Sequence, residues 1–245
     1  MLSAPSSMAR TIIVVPCFNE ARRLSPEAFR DFAATWPDGA FLFVDDGSSD
    51  GTLDVLSAIR HSIPAQCEIL RLPQNVGKAE AVRRGMLRAF ESNPEYAGFW
   101  DADLATPLDV VPLFEHVFRE RPATDVVLGA RVKLLGRNIE RRAARHYVGR
   151  IFATAVGVTL GVNVYDSQCG AKLFRSTGSV RGVFDTPFLS RWIFDVEILV
   201  RLLKRSASLY ELPLPVWRDV AGSTLRLKDF VRAIYDLAKI QRTVK

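Results

Sequence analysis

The sequence predicts an α/β fold: a doubly wound, mostly parallel sheet with helices on both faces and an added C-terminal part of helix and edge strand. Three observations carry this. Between residues 11 and 131, short apolar runs alternate with segments apolar at helical spacing, as in successive βαβ units. The runs have no polar face, which is the pattern of parallel strands covered on both sides. Several run out into acids and turn formers, and in open parallel sheets ligands bind at that strand edge.

The first run, residues 11–17, is β-branched and ends at Pro16 and Cys17. Phe18, Asn19 and Glu20 are expected to open a helix reaching about Thr35. Residues 40–44 form the second run and end in Asp45-Asp46-Gly47-Ser48-Ser49-Asp50-Gly51-Thr52, two acids and a glycine–serine turn before a helix from about Thr52. Residues 68–72 read as a third strand. Asn75-Val-Gly77-Lys78 then leads into a helix over residues 79–90, and a glycine and lysine at a helix N-terminus suit a phosphate. The leading glycine and the Ser/Thr after lysine of a Walker A loop are absent.

The strand from Tyr96 to Trp100 delivers Asp101 and Asp103. In extended backbone alternate side chains share a face, so the two carboxylates point one way across the small Ala102. That pair suits Mg²⁺ or Mn²⁺, hard cations often held by one or two carboxylates with waters and substrate phosphates completing the shell. Two acids after a strand also serve as a solvated turn or a helix cap. Pro107 fits the first turn of a helix running to about Glu120, and residues 125–131 form a fifth strand that presents Arg131 at its end.

Beyond Arg131 the texture changes. Residues 138–159 read as one long helix, with Ile139, Ala143, Tyr147, Ile151 and Ala155 on one stripe and Arg141 and Arg145 nearly opposite. Such a basic amphipathic helix suits a membrane interface, a homodimer contact or an ordinary core-and-solvent position. Residues 164–175 begin as a polar turn holding Asp166, Gln168 and Cys169 and become a strand containing Lys172 and Arg175. Residues 191–203 read as a buried helix with Asp195 and Glu197 in its first turn, where acids also act as caps. Residues 209–217 form a proline-bounded edge strand. An amphipathic helix including Phe230, Ile234 and Leu237 closes the chain.

Composition narrows the class. With 245 residues, 48% hydrophobic and 24% charged, the chain reads as an ordinary folded protein, residues 1–10 a loose tail and residues 11–245 one domain. Three scattered cysteines without a Cys-x-x-Cys pair argue against a disulfide framework or a zinc site, so reduced cytoplasmic thiols are expected. Neither a signal peptide nor a bilayer-spanning run is read. A net charge of +6 favours an anionic partner: a phosphorylated substrate, an acidic membrane or a nucleic acid. The last is disfavoured, because the basic residues lack aromatic interleaving and no recognition motif appears.

Taken together the motifs carry a resemblance. Pro16-Cys-Phe-Asn19-Glu20, Asp45-Asp46-Gly47-Ser48-x-Asp50, Asn75-x-Gly77-Lys78 and Asp101-Ala-Asp103, in that order at strand edges, resemble the family 2 GT-A glycosyltransferases, whose fold is Rossmann-like. The second half holds Asp166-Ser-Gln168-Cys-Gly170-x-Lys172-Leu-Phe174, Arg191-Trp192-x-Phe194-Asp195-x-Glu197 and Trp217-x-Asp-Val-x-Gly-Ser223. These resemble the dolichyl- or polyprenyl-phosphate enzymes, closest to the dolichyl-phosphate β-glucosyltransferase type.

The resemblance implies an inverting transfer from a nucleotide-sugar of the UDP-glucose or GDP-mannose type to a polyprenyl phosphate. Residues 11–131 would bind the donor and residues 132–245 the acceptor. It implies base and ribose contacts at Pro16, Asn19, Glu20, Asp45 and Asp46, donor contacts at Lys78 and Asp101, and a metal on Asp103 with Asp101. Asp195 would sit near the anomeric carbon. Arg131 and Lys172 would face the acceptor phosphate, with Gln168, Arg175, Arg191 and Trp192 as further acceptor contacts. Related mannosyltransferases place a metal-binding glutamine shortly after the second aspartate; Leu104-Ala105-Thr106 stands there, leaving the third ligand open and leaning toward the glucosyl type. A cytoplasmic protein resting peripherally on the inner face of the membrane is then expected. Two readings compete: the same donor with a hydroxyl acceptor and Asp195 as general base, or a nucleotide-sugar or anionic-surface binder without catalysis.

Overall fold

The computed structural model describes residues 9–140, 153, 154, 156, 157, 161, 164–220 and 227–244; in the last helix side chains are described at 233 and 235–243. Its centre is a seven-stranded sheet in the order β3-β2-β1-β4-β7-β5-β8. The strands are β1 (Thr11–Cys17), β2 (Gly39–Asp45), β3 (Cys67–Arg71), β4 (Tyr96–Trp100), β5 (Val126–Ala130), β7 (Ala171–Arg175) and β8 (Leu209–Pro213). All neighbouring pairs are parallel except those made by β7, which runs antiparallel between β4 and β5. A separate parallel pair joins β6 (Asn138–Glu140) to β9 (Val216–Arg218).

Alternation along β1 and β2 explains why their sequences have no polar face. Ile13, Val15, Phe41 and Phe43 pack into one core with Phe29, Phe32, Leu56 and Phe114, side chains of helices α1 (Pro26–Thr35), α2 (Thr52–Ser62) and α4 (Val111–Glu120). Ile12, Val14, Leu42 and Val44 pack into a second core on the other face. There they meet Val82 and Met86 of α3 (Lys78–Glu91) and Phe194, Ile198 and Leu199 of α6 (Phe194–Leu203). A short α5 (Gly178–Arg181) and the C-terminal α7 (Leu227–Val244) complete the helices used below.

Four expectations change. Residues 18–25 are a loop, and α1 starts only at Pro26, where Ser25 Oγ accepts the Ala28 N–H. The cause lies far along the chain: Asn19 takes a positive φ of 54°, and the Asn19 and Glu20 N–H groups go to Ser48 Oγ (3.0 Å) and Thr52 Oγ1 (2.7 Å). A left-handed residue at Asn19, held by these bonds to the following turn, interrupts the right-handed backbone that a helix starting at Phe18 would need. The helix expected from Pro107 opens with a 3-10 turn, Leu108–Val110. Residues 138–140 are strand β6 rather than the start of a helix, since the Asn138 N–H bonds Pro215 C=O and Ile139 pairs with Trp217. Most of the remaining expected helix, including Arg141, Arg142, Arg145, Tyr147 and Arg150, lies outside the described residues. Finally, the expected edge strand divides into β8 and β9 at Leu214 and Pro215, with β8 at the sheet edge as anticipated.

Cys17, Cys67 and Cys169 are all buried free thiols. Burial pushes Cys67 up to about 12 and Cys169 up to about 11, and Asp166 adds to the latter. The thiolate is the reactive form, so the folded protein should leave all three unmodified by a thiol reagent at pH 8 and expose them on denaturation. Stoichiometric labelling of the native chain would contradict this burial. Among the described residues, no helix is long and apolar enough to cross a membrane.

Candidate active site

Strands β1, β2, β4 and β5 all end at one edge of the sheet, and antiparallel β7 begins there. The residues gathered at this edge come from the loops that follow or precede these strands. The first loop is clipped to the turn after β2: Asn19 Oδ1 accepts the Ser49 N–H at 2.9 Å, and the Ala21 N–H bonds Asp50 Oδ2. Asp45, fully buried, accepts the Ser48 N–H with Oδ1, while its Oδ2 has no hydrogen-bond partner among the described residues. The nearest cation, Arg71, is exposed and holds its Nε 3.8 Å away. A buried carboxylate oxygen without a donor is costly unless something supplies one.

Asp46 is spent differently. Its two oxygens accept the Val76 and Gly77 N–H groups at 2.7 and 2.8 Å, which pins the Asn75–Lys78 turn beside the sheet edge. Gly77 holds φ at +93°, and a Cβ there would lie 2.8 Å from the Arg191 guanidinium, so this turn and Arg191 are stacked together. Lys78 follows at the N-terminus of α3 and pairs with Asp101 Oδ1.

The end of β4 carries the acids. Burial raises the Asp103 carboxyl above its ordinary value, and Asp101 raises it further against the opposing pull of the Ala105 N–H and Lys78. Glu20 is raised too, first by burial and then, against Arg23, by Asp103 and Asp101. Burial pulls the Lys78 ammonium down, yet Asp101, Asp195 and Asp103 outweigh it and leave it raised. These carboxylates therefore feel one another, and the excess negative charge calls for a cation. The Asp101/Asp103 pair fits Mg²⁺ or Mn²⁺ held mostly by water and phosphate; among the described residues no cluster of three or more ligands stands ready.

Gly170, just before β7, lies beside Asp101 at the end of the neighbouring strand. A Cβ there would overlap the Asp101 carboxylate. Gly170→Ala should therefore displace Asp101 and lower turnover roughly 100-fold, the scale of a misplaced reacting group, while the chain still folds. Wild-type turnover in that variant would mean that Asp101 has room to spare.

Asp195 opens the first turns of α6 and is nearly buried. Lys172, with no exposed surface, donates to Asp195 Oδ1 and to Cys169 C=O, both at 2.6 Å, and lies over the Phe99 ring. From sequence, Lys172 is expected at the acceptor phosphate; in the fold its ammonium is buried against Asp195 and Cys169 C=O. Arg131 is likewise paired, Nε and Nη2 meeting the Asp166 carboxylate at 2.6 and 2.7 Å. Asp166 is held by Glu211, whose carboxylate accepts the Tyr165 and Asp166 N–H groups, and the Arg131 guanidinium rests on Trp217. Burial opposes the charge of Arg131, and Asp166 outweighs it, so the guanidinium stays ionised.

Arg175 is removed from the site. Antiparallel β7 carries it to the opposite edge, opposite Tyr96, where it bonds Thr124 C=O and lies over Phe118. Gln168 stays half-buried in the turn before β7, and exposed Arg191 and Trp192 precede α6 in a loop. Arg191 has no carboxylate partner among the described residues, which leaves it the free cation of the group. Glu197 is structural: it accepts the Leu189 N–H and pairs with Arg201, which in turn binds three carbonyls of the loop before α6. Two residues were not anticipated as parts of the site, Asp166 and Glu211. Asp166 stands inside a quoted motif and could have been paired with Arg131 by charge; Glu211 carries no local signal.

A Rossmann-like sheet with one inserted antiparallel strand, and an acid pair opposed by cations at its ligand edge, defines a GT-A glycosyltransferase. The chain belongs to glycosyl transferase family 2, whose family model matches residues 12–179. Dolichyl-phosphate beta-glucosyltransferases of Trichomonas vaginalis and Saccharomyces cerevisiae are each 29% identical to it, over 94% of this chain and 70% and 73% of theirs. The mouse protein of that name is 30% identical over 87% of this chain and 68% of its own. Among solved structures, glucosyl-3-phosphoglycerate synthase from Mycobacterium tuberculosis with UDP shares the fold, with a TM-score of 0.66, 18% identity, and 96% of this chain and 80% of that one covered. The same enzyme with Mn²⁺, UDP and phosphoglyceric acid superposes with a TM-score of 0.67 at 19% identity, covering 95% and 78%.

Proposed function

We propose that this glycosyltransferase moves a hexose, glucose from UDP-glucose by preference, onto the phosphate of a polyprenyl or dolichyl lipid with inversion at the anomeric carbon. The observation that carries the reading is the acid pair Asp101 and Asp103, each raising the demand for a cation, set against Lys78 and Arg191 at the ligand edge of the sheet. It is supported by the curated relatives, named for glucose transfer to dolichyl phosphate, and by the UDP and Mn²⁺ in the structural neighbour.

In this mechanism Asp45 Oδ2 accepts a base N–H, a ligand donor taking the place that Arg71 now holds at a distance. The first loop and the pinned Asn75–Lys78 turn floor the nucleotide pocket. Asp103 and Asp101 would hold a divalent cation, which would neutralise charge on the departing diphosphate. Lys78 and Arg191 add cationic donors there, an arrangement that counts most where charge develops. The acceptor phosphate is already largely anionic at neutral pH, so its oxygen attacks the anomeric carbon without a general base. The bond from that carbon to the diphosphate oxygen breaks, and nucleoside diphosphate leaves. Asp195, fixed by Lys172, orients the sugar and faces the positive charge developing on it. Arg131, fixed by Asp166 and Trp217, presents its exposed edge to the acceptor. The protein meets its lipid from the membrane surface, in keeping with a peripheral, cytoplasmic position.

Release of nucleoside diphosphate from a panel of nucleotide-sugars, with Mg²⁺ or Mn²⁺ and with or without a short polyprenyl phosphate, tests this. Release that requires the lipid is expected. Release that ignores lipid and requires a sugar or other hydroxyl acceptor would transfer the reading to the competing enzyme and make Asp195 its general base.

A further inference from the structure

The turn leaving β5 sends two leucines into solvent. Residues 133–138 are exposed in succession, with Leu134 at 50% and Leu135 at 104% of full accessibility. The Arg137 N–H bonds Leu134 C=O at 3.1 Å and Gly136 takes φ +79°, so the chain reverses with both leucines at its tip. Among the described residues the tip stands clear: a Cβ built on Gly136 meets nothing within 4 Å. Turn tips ordinarily carry polar residues, and no packing within the described residues accounts for leucines here. Lys133 and Arg137 bracket them, with no acid between Val132 and Ile139. Both ends of the turn are firmly rooted, on one side at Arg131 and on the other at buried Ile139 of β6.

We propose that this tip is a membrane-interface anchor. Leu134 and Leu135 enter the boundary between headgroups and acyl chains, while Lys133 and Arg137 meet anionic headgroups, the combination that binds peripheral segments to acidic bilayers. Arg131, separated from the inserted leucines by Val132 and Lys133, is thereby held against the surface from which a lipid phosphate is drawn. The bracketing charges favour an anionic bilayer over a second copy of the chain, which would oppose like charges. The inference rests on the lipid-phosphate acceptor proposed above.

The test compares wild type with Leu134→Ser/Leu135→Ser for co-sedimentation with phosphatidylcholine vesicles containing phosphatidylglycerol. Nucleoside diphosphate release is measured in parallel with a short, water-soluble prenyl phosphate. The double variant should lose about tenfold in vesicle partition, as expected when apolar insertion is removed from a two-signal anchor, and keep wild-type release. A Leu135→Trp variant should shift its emission to the blue on the same vesicles. Unchanged partition of the double variant, wild-type protein that never sediments with vesicles, or an unmoved tryptophan would overturn the anchor. So would a double variant that loses self-association while keeping vesicle binding. Failure of the wild type to use any prenyl phosphate would instead strike the acceptor reading, with vesicle partition still judging the tip.

Discussion

Asp103→Asn is expected to fold and to lose roughly 100- to 1,000-fold in release of nucleoside diphosphate, the scale of removing one group that stabilises charge in the transition state. Its stability should move the other way. The folded-state carboxyl of Asp103 is raised, by burial first and by Asp101 second. A raised acid binds its proton more tightly folded than unfolded, so ionisation weakens the fold in full above the folded pKa, and the penalty shrinks as pH falls through that value and is gone below the lower unfolded one. Asparagine removes that penalty at neutral pH. In a chelator the variant should therefore melt at or above the wild-type temperature, and added Mn²⁺ should raise Tm in the wild type alone. A variant with full activity, or with the same Mn²⁺ response as wild type, would place the cation elsewhere.

The second large effect lies at the Lys172–Asp195 pair. Lys172 has no exposed surface, and among the described residues its ammonium bonds Cys169 C=O and Asp195 and lies over the Phe99 ring. Removing one member of a buried ion pair strands the other, so Asp195→Leu alone should destabilise the fold by about 3–5 kcal/mol. Lys172→Met combined with Asp195→Leu should recover most of that stability, because two apolar side chains leave no uncompensated charge. Activity should not return in the double variant, since the proposed mechanism needs the Asp195 carboxylate beside the sugar. Denaturant melts of the two singles and the double close a cycle that isolates the pair. Additive losses would mean that Lys172 and Asp195 do not depend on each other.

What the sequence disclosed and what it withheld divide along a physical line. The parallel strands were legible because β1 and β2 are buried on both faces, and a two-sided core leaves an unbroken apolar run. Asp45 and the Asp101–Asp103 pair were legible because they end such runs. The first loop was not, because Asn19 and Glu20 look like a helix start and are kept from it only by Ser48 and Thr52 about thirty residues on. Arg175 failed for a topological reason: nothing local to residues 171–175 announces that this strand runs against its neighbours, and direction decides which edge its last residue reaches. Lys172 and Asp46 lie at the expected edge, and each is engaged there by the protein itself. Whether a charged group faces a ligand or is consumed by the protein depends on partners such as Asp195 or the Val76 and Gly77 N–H groups, and pairings at such separations leave no periodicity.

The most direct test of the central claim is to follow the sugar itself. Wild-type enzyme is incubated with UDP-glucose labelled in the hexose, Mg²⁺ and a polyprenyl phosphate, the mixture is partitioned between water and organic solvent, and the anomeric configuration of the extracted product is read by NMR. The account predicts label in the organic phase, attached through phosphate in the β configuration, and none when Asp103→Asn replaces the wild type. Label that stays in the aqueous phase while UDP is released, or a lipid product that retains the α configuration, would contradict it.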